Sequence, residues 1–175
     1  MIQNETMKSI LARRSYKMFD GRPIDDESLD TIITAGLYAP TGMNRQPWHF
    51  TVIKSAEMMA KFGAARRAVP LPPGIPAMGD PMRNAPVMIL VSAQEGGTAA
   101  QDCCLAMENM FIAAASLGIM SGWDHATVMD VFERNPELRA ELIPEGYKLH
   151  AAAFFGYPGP EVKDRGERKG TVSYK

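Results

Sequence analysis

Residues 13–29 read RRSYKMFDGRPIDDESL, and the reading of the whole fold starts from them. Two arginines, a serine and a lysine fall within five positions, and a Gly-Arg-Pro break then leads to a run of acids. Asp25 and Asp26 are both good N-caps, and Glu27 sits in what would be the first helical turn. Leu29, Ile32, Ile33, Gly36 and Leu37 follow at i, i+3, i+4, i+7 and i+8, the spacing of one helix face. This helix must stop near Tyr38, because Pro40 disfavours helical geometry in the residue before it. Upstream, residues 5–13 predict a first helix with Met7, Ile10 and Leu11 on one side. Arg13 and Arg14 would then lie in its last turn, where cations suit the negative end of the helix dipole. The other reading of the cluster is that something anionic sits against it.

Composition narrows what that could be. The chain has 175 residues, a length that predicts one domain over 1–175 with a substantial core. Nineteen basic and twenty acidic residues leave a net charge of −1, so no global field draws the chain to nucleic acid or an anionic membrane. Anion binding, if any, is local. The opening MIQNETMKS lacks the apolar stretch of an export signal. The longest apolar run, residues 103–120, is interrupted by Glu108 and Asn109 and reads poorly as a membrane span. The two cysteines, Cys103 and Cys104, are adjacent, and helical neighbours pointing about 100° apart make a poor disulfide. A reduced, cytoplasmic setting is expected. Three scattered histidines and one cysteine pair do not supply a zinc site.

Farther along, HFTVIK (49–54) alternates as a strand, and SAEMMAKF (55–62) restarts a short helix capped by Ser55. Residues 70–86 hold six of the thirteen prolines with Gly74 and Gly79, which rules out regular structure; loops of this length are functional or mobile. APVMILVS (85–92) reads as a buried strand. Residues 98–117 predict a long helix on which Cys104, Leu105, Met107, Met110, Phe111, Ile112 and Leu117 cover most of the circumference. A helix apolar nearly all round is buried on more than one side, which points to a subunit interface with Met110 on the shared stripe. Gly118 ends this helix. IMSGW then leads through a loop containing His125 to a helix over 127–135, and Leu138 and Leu142 mark one further turn. YKLHAAAFFGYPG (147–159) is the last strand, and the tail from 161 is polar. Helices and strands interleave, which makes the class mixed α and β around one central sheet.

GxSxG, GxxxxGK[ST] and GxGxxG are all missing. His49 and His150 read as strand residues with packing roles, and the cysteines as core. Two segments carry binding chemistry. Arg13, Arg14, Ser15 and Lys17 offer two planar forks, a hydroxyl and an ammonium, and each charge-assisted bond to a phosphate is worth about 1.5–3 kcal/mol. APTGMNRQPW (39–48) offers open backbone at Gly42 and amides at Asn44 and Gln46, suited to the carbonyls and ring nitrogens of a heteroaromatic ligand, or simply a turn into the next strand.

Taken in order, these pieces resemble the nitroreductase family. They are RRSYK, the acid-capped helix, APTGMNRQPW and its strand, the helix ending in LGIMSGW, the strand ending in FFGYP, and the pair Arg168–Lys169. The similarity runs from about residue 7 to 169. It implies an α+β fold with a central, mainly antiparallel sheet flanked by helices, and an intertwined homodimer with active sites built across its interface. It also implies flavin mononucleotide (FMN). Arg13, Ser15 and Lys17 would hold its phosphate and ribityl end, with Arg14 adjacent. Pro40, Thr41, Gly42, Asn44 and Gln46 would reach the partner's flavin, and Ser121, Gly122 and Trp123 would lie beside the isoalloxazine ring. Arg168 with Lys169 would return to the phosphate. The implied activity is ping-pong hydride transfer from NADH or NADPH through flavin N5 to small-molecule acceptors of nitroaromatic, quinone or enone type. No protein acid or base, metal, nucleic acid or membrane enters. Other readings are an FMN storage or sensor protein without turnover, and a different flavin chemistry such as flavin breakdown or reductive dehalogenation. The chain departs from the family in its proline-rich 70–86 segment and in the GTVSYK that follows Lys169, and both regions shape substrate access.

Overall fold

The computed structural model of the chain describes residues 2–70, 79–159 and 166–175. Its elements are α1 (Glu5–Ala12), α2 (Asp26–Leu37), β1 (Trp48–Ile53), α3 (Ala56–Arg67), β2 (Val87–Gln94), α4 (Ala99–Ser116), β3 (Met120–Trp123), α5 (His125–Arg134), α6 (Pro136–Leu142) and β4 (Tyr147–Gly156). The four strands form one antiparallel sheet in the order β1-β2-β4-β3. The α+β expectation therefore holds.

The central strands show why the sheet is covered on both sides. In β2, Val87, Ile89, Val91 and Ala93 face one core with Ala151, Ala153 and Phe155 of β4, beneath α2 and α4. Met88 and Leu90 face the other with Ala152 and Phe154, beneath Phe62 of α3, Val128 and Phe132 of α5 and Leu142 of α6. A strand with apolar residues at both parities has no wet face, so helices must cover both. Register slips once, between Val91 and Ser92, and leaves His150 as the extra residue of a bulge in β4.

The helix α2 forms as its sequence predicts. Asp25 caps it, its carboxylate accepting from the backbone N–H of Ser28 at 2.8 Å, and Tyr38 closes it. Leu29, Ile32 and Gly36 are buried. A Cβ at Gly36 would lie 2.3 Å from Met110 Cε, so the missing side chain is what lets α2 sit down on α4.

Several expectations are corrected. The helix α1 ends at Ala12, and Arg13 follows in extended geometry (ψ 130°), so neither arginine occupies a last turn and the dipole no longer explains them. Residues 55–62 underestimate α3, which runs on to Arg67 because Gly63 and Arg66 continue its buried side. MSGW is a strand, not a connection; four residues are too few to show a period, and pairing with β4 makes them β. His125 is not in a loop but is the first residue of α5. Met110 is fully buried against α2 in its own chain and is not on an exposed stripe; the apolar residues α4 leaves open are Leu105, Cys104 (which is therefore not core, unlike Cys103) and, at its end, Leu117. Of the proline-rich segment, residues 71–78 lie outside the described part. Residues 80–84 form a turn around Asp80, whose carboxylate accepts from the backbone N–H groups of Met82 and Asn84. Among the described residues, no helix is long and apolar enough to cross a membrane.

Candidate functional site

After α1 the chain runs along the free edge of β3. Ser15 and Ser121 form a parallel bridge, in which the Tyr16 N–H donates to the Ser121 carbonyl at 2.9 Å. Tyr16 and Phe19 turn into the core, while Ser15, Lys17 and Met18 stay outside. Further bonds hold the segment down: Phe19 N–H donates to the Arg83 carbonyl at 2.9 Å and Asp20 N–H to the Tyr157 carbonyl at 3.1 Å. Two segments singled out separately in the sequence, residues 13–17 and 121–123, are thereby one seam.

Gly122 is the tightest point of that seam. A Cβ there would stand 2.4 Å from the Tyr16 carbonyl oxygen, which is backbone and cannot swing aside. Ser121 is buried, and Trp123 is 42% exposed, its ring flanked by Phe111 at 6.5 Å and His125 at 6.0 Å. Arg13 reaches Glu108 of α4 at 3.7 Å, Arg14 is half-buried, and Ser15 and Lys17 are exposed.

The third predicted segment stands elsewhere. Pro40 precedes a single 3-10 turn at Gly42–Asn44, in which Met43 and Asn44, followed by Gln46, adopt left-handed φ of 57°, 54° and 47°. The turn is tied to α4 through Asp102: its carboxylate accepts from the Gly42 N–H at 3.2 Å and from the Thr98 hydroxyl at 3.0 Å. Thr41 Oγ1 accepts from the Gln46 N–H at 3.1 Å, and Asn44 Oδ1 from the Gln46 amide at 3.0 Å. A Cβ at Gly42 would meet Thr98 Oγ1 at 2.3 Å. Asp102 and Phe111, which touch this loop and Trp123 respectively, are nine residues apart on α4. Nine residues at about 100° and 1.5 Å each put the two anchors on opposite sides of the helix and about 13 Å apart along it. One chain therefore does not bring residues 40–46 to the seam. Arg168 and Lys169 are exposed in the coil of residues 166–175.

Three residues that sequence reasoning did not select lie behind the seam. Asp124 is gripped at both carboxylate oxygens by the Arg66 guanidinium, and Arg83 Nη2 adds a third bond at 2.8 Å. All three side chains are 3–7% exposed. Both guanidinium groups lie over the Phe154 ring, at 5.2 and 5.5 Å. Burial and then the neighbouring Arg83 charge pull the Lys17 pKa below its ordinary value, with Asp124 opposing. Nothing in the spacing of 66, 83 and 124 could have linked them; only the SGWD run hinted at Asp124. Among the described residues no group of three His, Cys, Asp or Glu is placed to hold a metal.

Fold and seam together define a class: an α+β protein in which a basic segment lies against a glycine-containing strand at the edge of an antiparallel sheet. A family model, the nitroreductase family, matches residues 10–157. An Archaeoglobus fulgidus protein provisionally named NADH dehydrogenase/NAD(P)H nitroreductase is 34% identical over 167 residues, covering 90% of this chain and 87% of its own. A Bacteroides fragilis nitroreductase crystallised with bound FMN superposes with a TM-score of 0.85 at 30% identity, over 98% of this chain and 99% of the other. A Desulfitobacterium hafniense nitroreductase, also with bound FMN, gives 0.84 at 29%, over 99% of each chain. The chain belongs to the nitroreductase family.

Proposed function

We propose that this chain is a single-domain, FMN-dependent oxidoreductase that uses NADH or NADPH to reduce small acceptors of the nitroaromatic, quinone or enone type. The observation that carries the reading is the seam: residues 13–17, rich in cations, lie against Ser121–Gly122–Trp123, where only glycine fits. The residues present suit FMN. Arg13, Arg14, Ser15 and Lys17 supply forks, a hydroxyl and an ammonium for its phosphate and ribityl end. The bare backbone of Gly122 lets residues 13–17 lie directly against β3, which brings their cations beside the exposed ring of Trp123. FMN, when bound, supplies the redox chemistry, taking a hydride from the nicotinamide and passing it to the acceptor in a second half-reaction. The chain's own part is to bind, orient and screen from water.

The same reading includes a homodimer with shared sites. Helix α1 buries no residue in its own chain although Ile10 and Leu11 are apolar, and Leu37, Leu105 and an 84%-exposed Tyr38 add open apolar surface. Residues 40–46 are separated from the seam by α4, so a loop from a second copy is the natural way to complete the site. Arg168 and Lys169, in an exposed terminal coil, are free to reach that copy's phosphate end. The unpaired Cys103 and Cys104 agree with a cytoplasmic setting.

The test is direct. Protein purified without added flavin should be yellow, release FMN on denaturation, and oxidise NADH or NADPH in the presence of a quinone or nitroaromatic. A colourless protein whose melting temperature ignores excess FMN overturns the assignment. FMN that binds but supports no turnover leaves a storage or sensor protein instead.

A further inference from the structure

Of the three histidines in the chain, one stands at the seam. The sheet order β1-β2-β4-β3 puts His49, on β1, at the opposite edge from β3. His150 is the bulge residue of β4, and its Nε2 is buried. His125 follows the seam strand directly, as the first residue of α5, and is half-buried. Its ring lies 6.0 Å from that of Trp123, tilted by 37°, and Trp123 is itself exposed. An imidazole and an open indole thus stand side by side at the end of the strand that carries residues 13–17 along its edge.

The surroundings of that imidazole decide which nitrogen is free. His125 Nε2 lies 3.5 Å from the Leu149 carbonyl of β4, and a carbonyl only accepts, so Nε2 carries a hydrogen. Among the described residues Nδ1 has no hydrogen-bond partner. The adjacent Asp124 is taken up by Arg66 and Arg83, so it does not pair with the ring. A ring held in this way presents Nδ1 as an acceptor when neutral and as a donor once protonated. Imidazole is the side chain that makes this change near neutral pH.

We propose that His125 is a catalytic residue, which hands a proton from Nδ1 to a flat quinone or nitroaromatic acceptor resting against Trp123. The proposal rests on the FMN reading above, which accounts for the hydride but not for the proton. A quinone that has received a hydride is a hydroquinone monoanion, one proton short of the product. The Nδ1–H bond breaks, an O–H bond forms on that anion, and the neutral ring takes a proton back from water, which its partial exposure admits. Quinone, hydride and one proton then add up to the hydroquinone, and the nicotinamide leaves as its cation. A positioned acid speeds the step because the proton is already in place when the anion forms. Trp123 adds the platform, since an electron-poor ring stacks well on the electron-rich face of an indole.

The experiment uses the full chain loaded with FMN and compares two acceptors. Ferricyanide takes one electron at a time and needs no proton, whereas menadione needs one for each hydride. His125→Gln and His125→Ala should each lower the ratio of menadione to ferricyanide turnover by at least about tenfold, below the usual contribution of a positioned acid because water can stand in for it. A purely structural role would slow both acceptors alike. The second readout needs no turnover: without NADH or NADPH, the oxidised protein binds para-nitrobenzoate but cannot reduce it. That ligand should move the His125 imidazole signals in the NMR spectrum, assigned by their loss in His125→Gln, and leave those of His49 in place. If the Ala variant does not fold, the Gln variant decides. An unchanged ratio, or His125 signals that stay put at saturating para-nitrobenzoate, overturns the proposal. Parent protein that binds no FMN overturns the FMN reading itself, so the two failures are distinct.

Discussion

At Gly122 a single hydrogen atom keeps two chain segments together. The 2.4 Å from an added Cβ to the Tyr16 carbonyl involves backbone on both sides, so neither partner can relax cheaply. Gly122→Ala should cost about 1–3 kcal/mol by overpacking and open the seam, read as a lower melting temperature together with reduced flavin content. Charge along the seam makes a separate prediction. Arg13→Ala and Arg168→Ala should weaken FMN but leave riboflavin, which lacks the phosphate, at its weaker affinity; equal losses for both ligands would show that neither arginine meets the phosphate. The bulge residue His150 gives a pH dependence. Burial, and then the nearby His125, hold its pKa below 6.5, and its Nε2 is buried without a partner. The unfolded chain therefore takes up a proton near pH 6.5 before the folded chain does, and stability should fall as pH drops below that value. Melting curves between pH 7.5 and 5.5 should show a shallower slope for His150→Gln.

Among the elements, α4 does the most to organise the site. Its first turn anchors residues 40–46 through Asp102, its middle meets Arg13 at Glu108 and Trp123 at Phe111, and α2 packs along it. Asp102→Ala would leave the Gly42 N–H and the Thr98 hydroxyl without their acceptor, at a cost of about 1–3 kcal/mol. The expected result is a lower melting temperature with weakened FMN binding, while the seam itself stays intact. Loss of stability with unchanged FMN affinity would mean that residues 40–46 play no part in any flavin site, the partner's included. Elements differed in how openly the sequence declared them. Helix α2 has a cap, an uninterrupted period and a proline stop, each local, and it was read nearly to the residue. Strand β3 is four residues long and exists because β4 offers it a partner, which no local pattern reports.

For the molecule as a whole, Leu105 lies on the apolar outside and Met110 in the core, so charge at the two positions should act differently. Leu105→Glu should dissociate the proposed dimer and lower flavin content together, with little loss of the monomer's fold, as seen by sedimentation and absorbance on one sample. Met110→Lys, by contrast, places an unpaired charge under α2 and should cost more than about 4 kcal/mol, giving unfolded or aggregated protein. A Leu105→Glu monomer retaining full flavin would show the site to be complete within one chain.

Some of this was settled by the order of residues alone. RRSYK, APTGMNRQPW, LGIMSGW and FFGYP carry the family, the α+β class and the predicted binding segments, because caps, turns and short motifs are local and survive without a partner. What the sequence could not contain is proximity. That residues 13–17 lie on 121–123, that α4 holds residues 40–46 away from both, and that Arg66, Arg83 and Asp124 converge over Phe154 are consequences of how the sheet and helices pack. Such contacts span tens of residues, and no period or spacing along the chain encodes them.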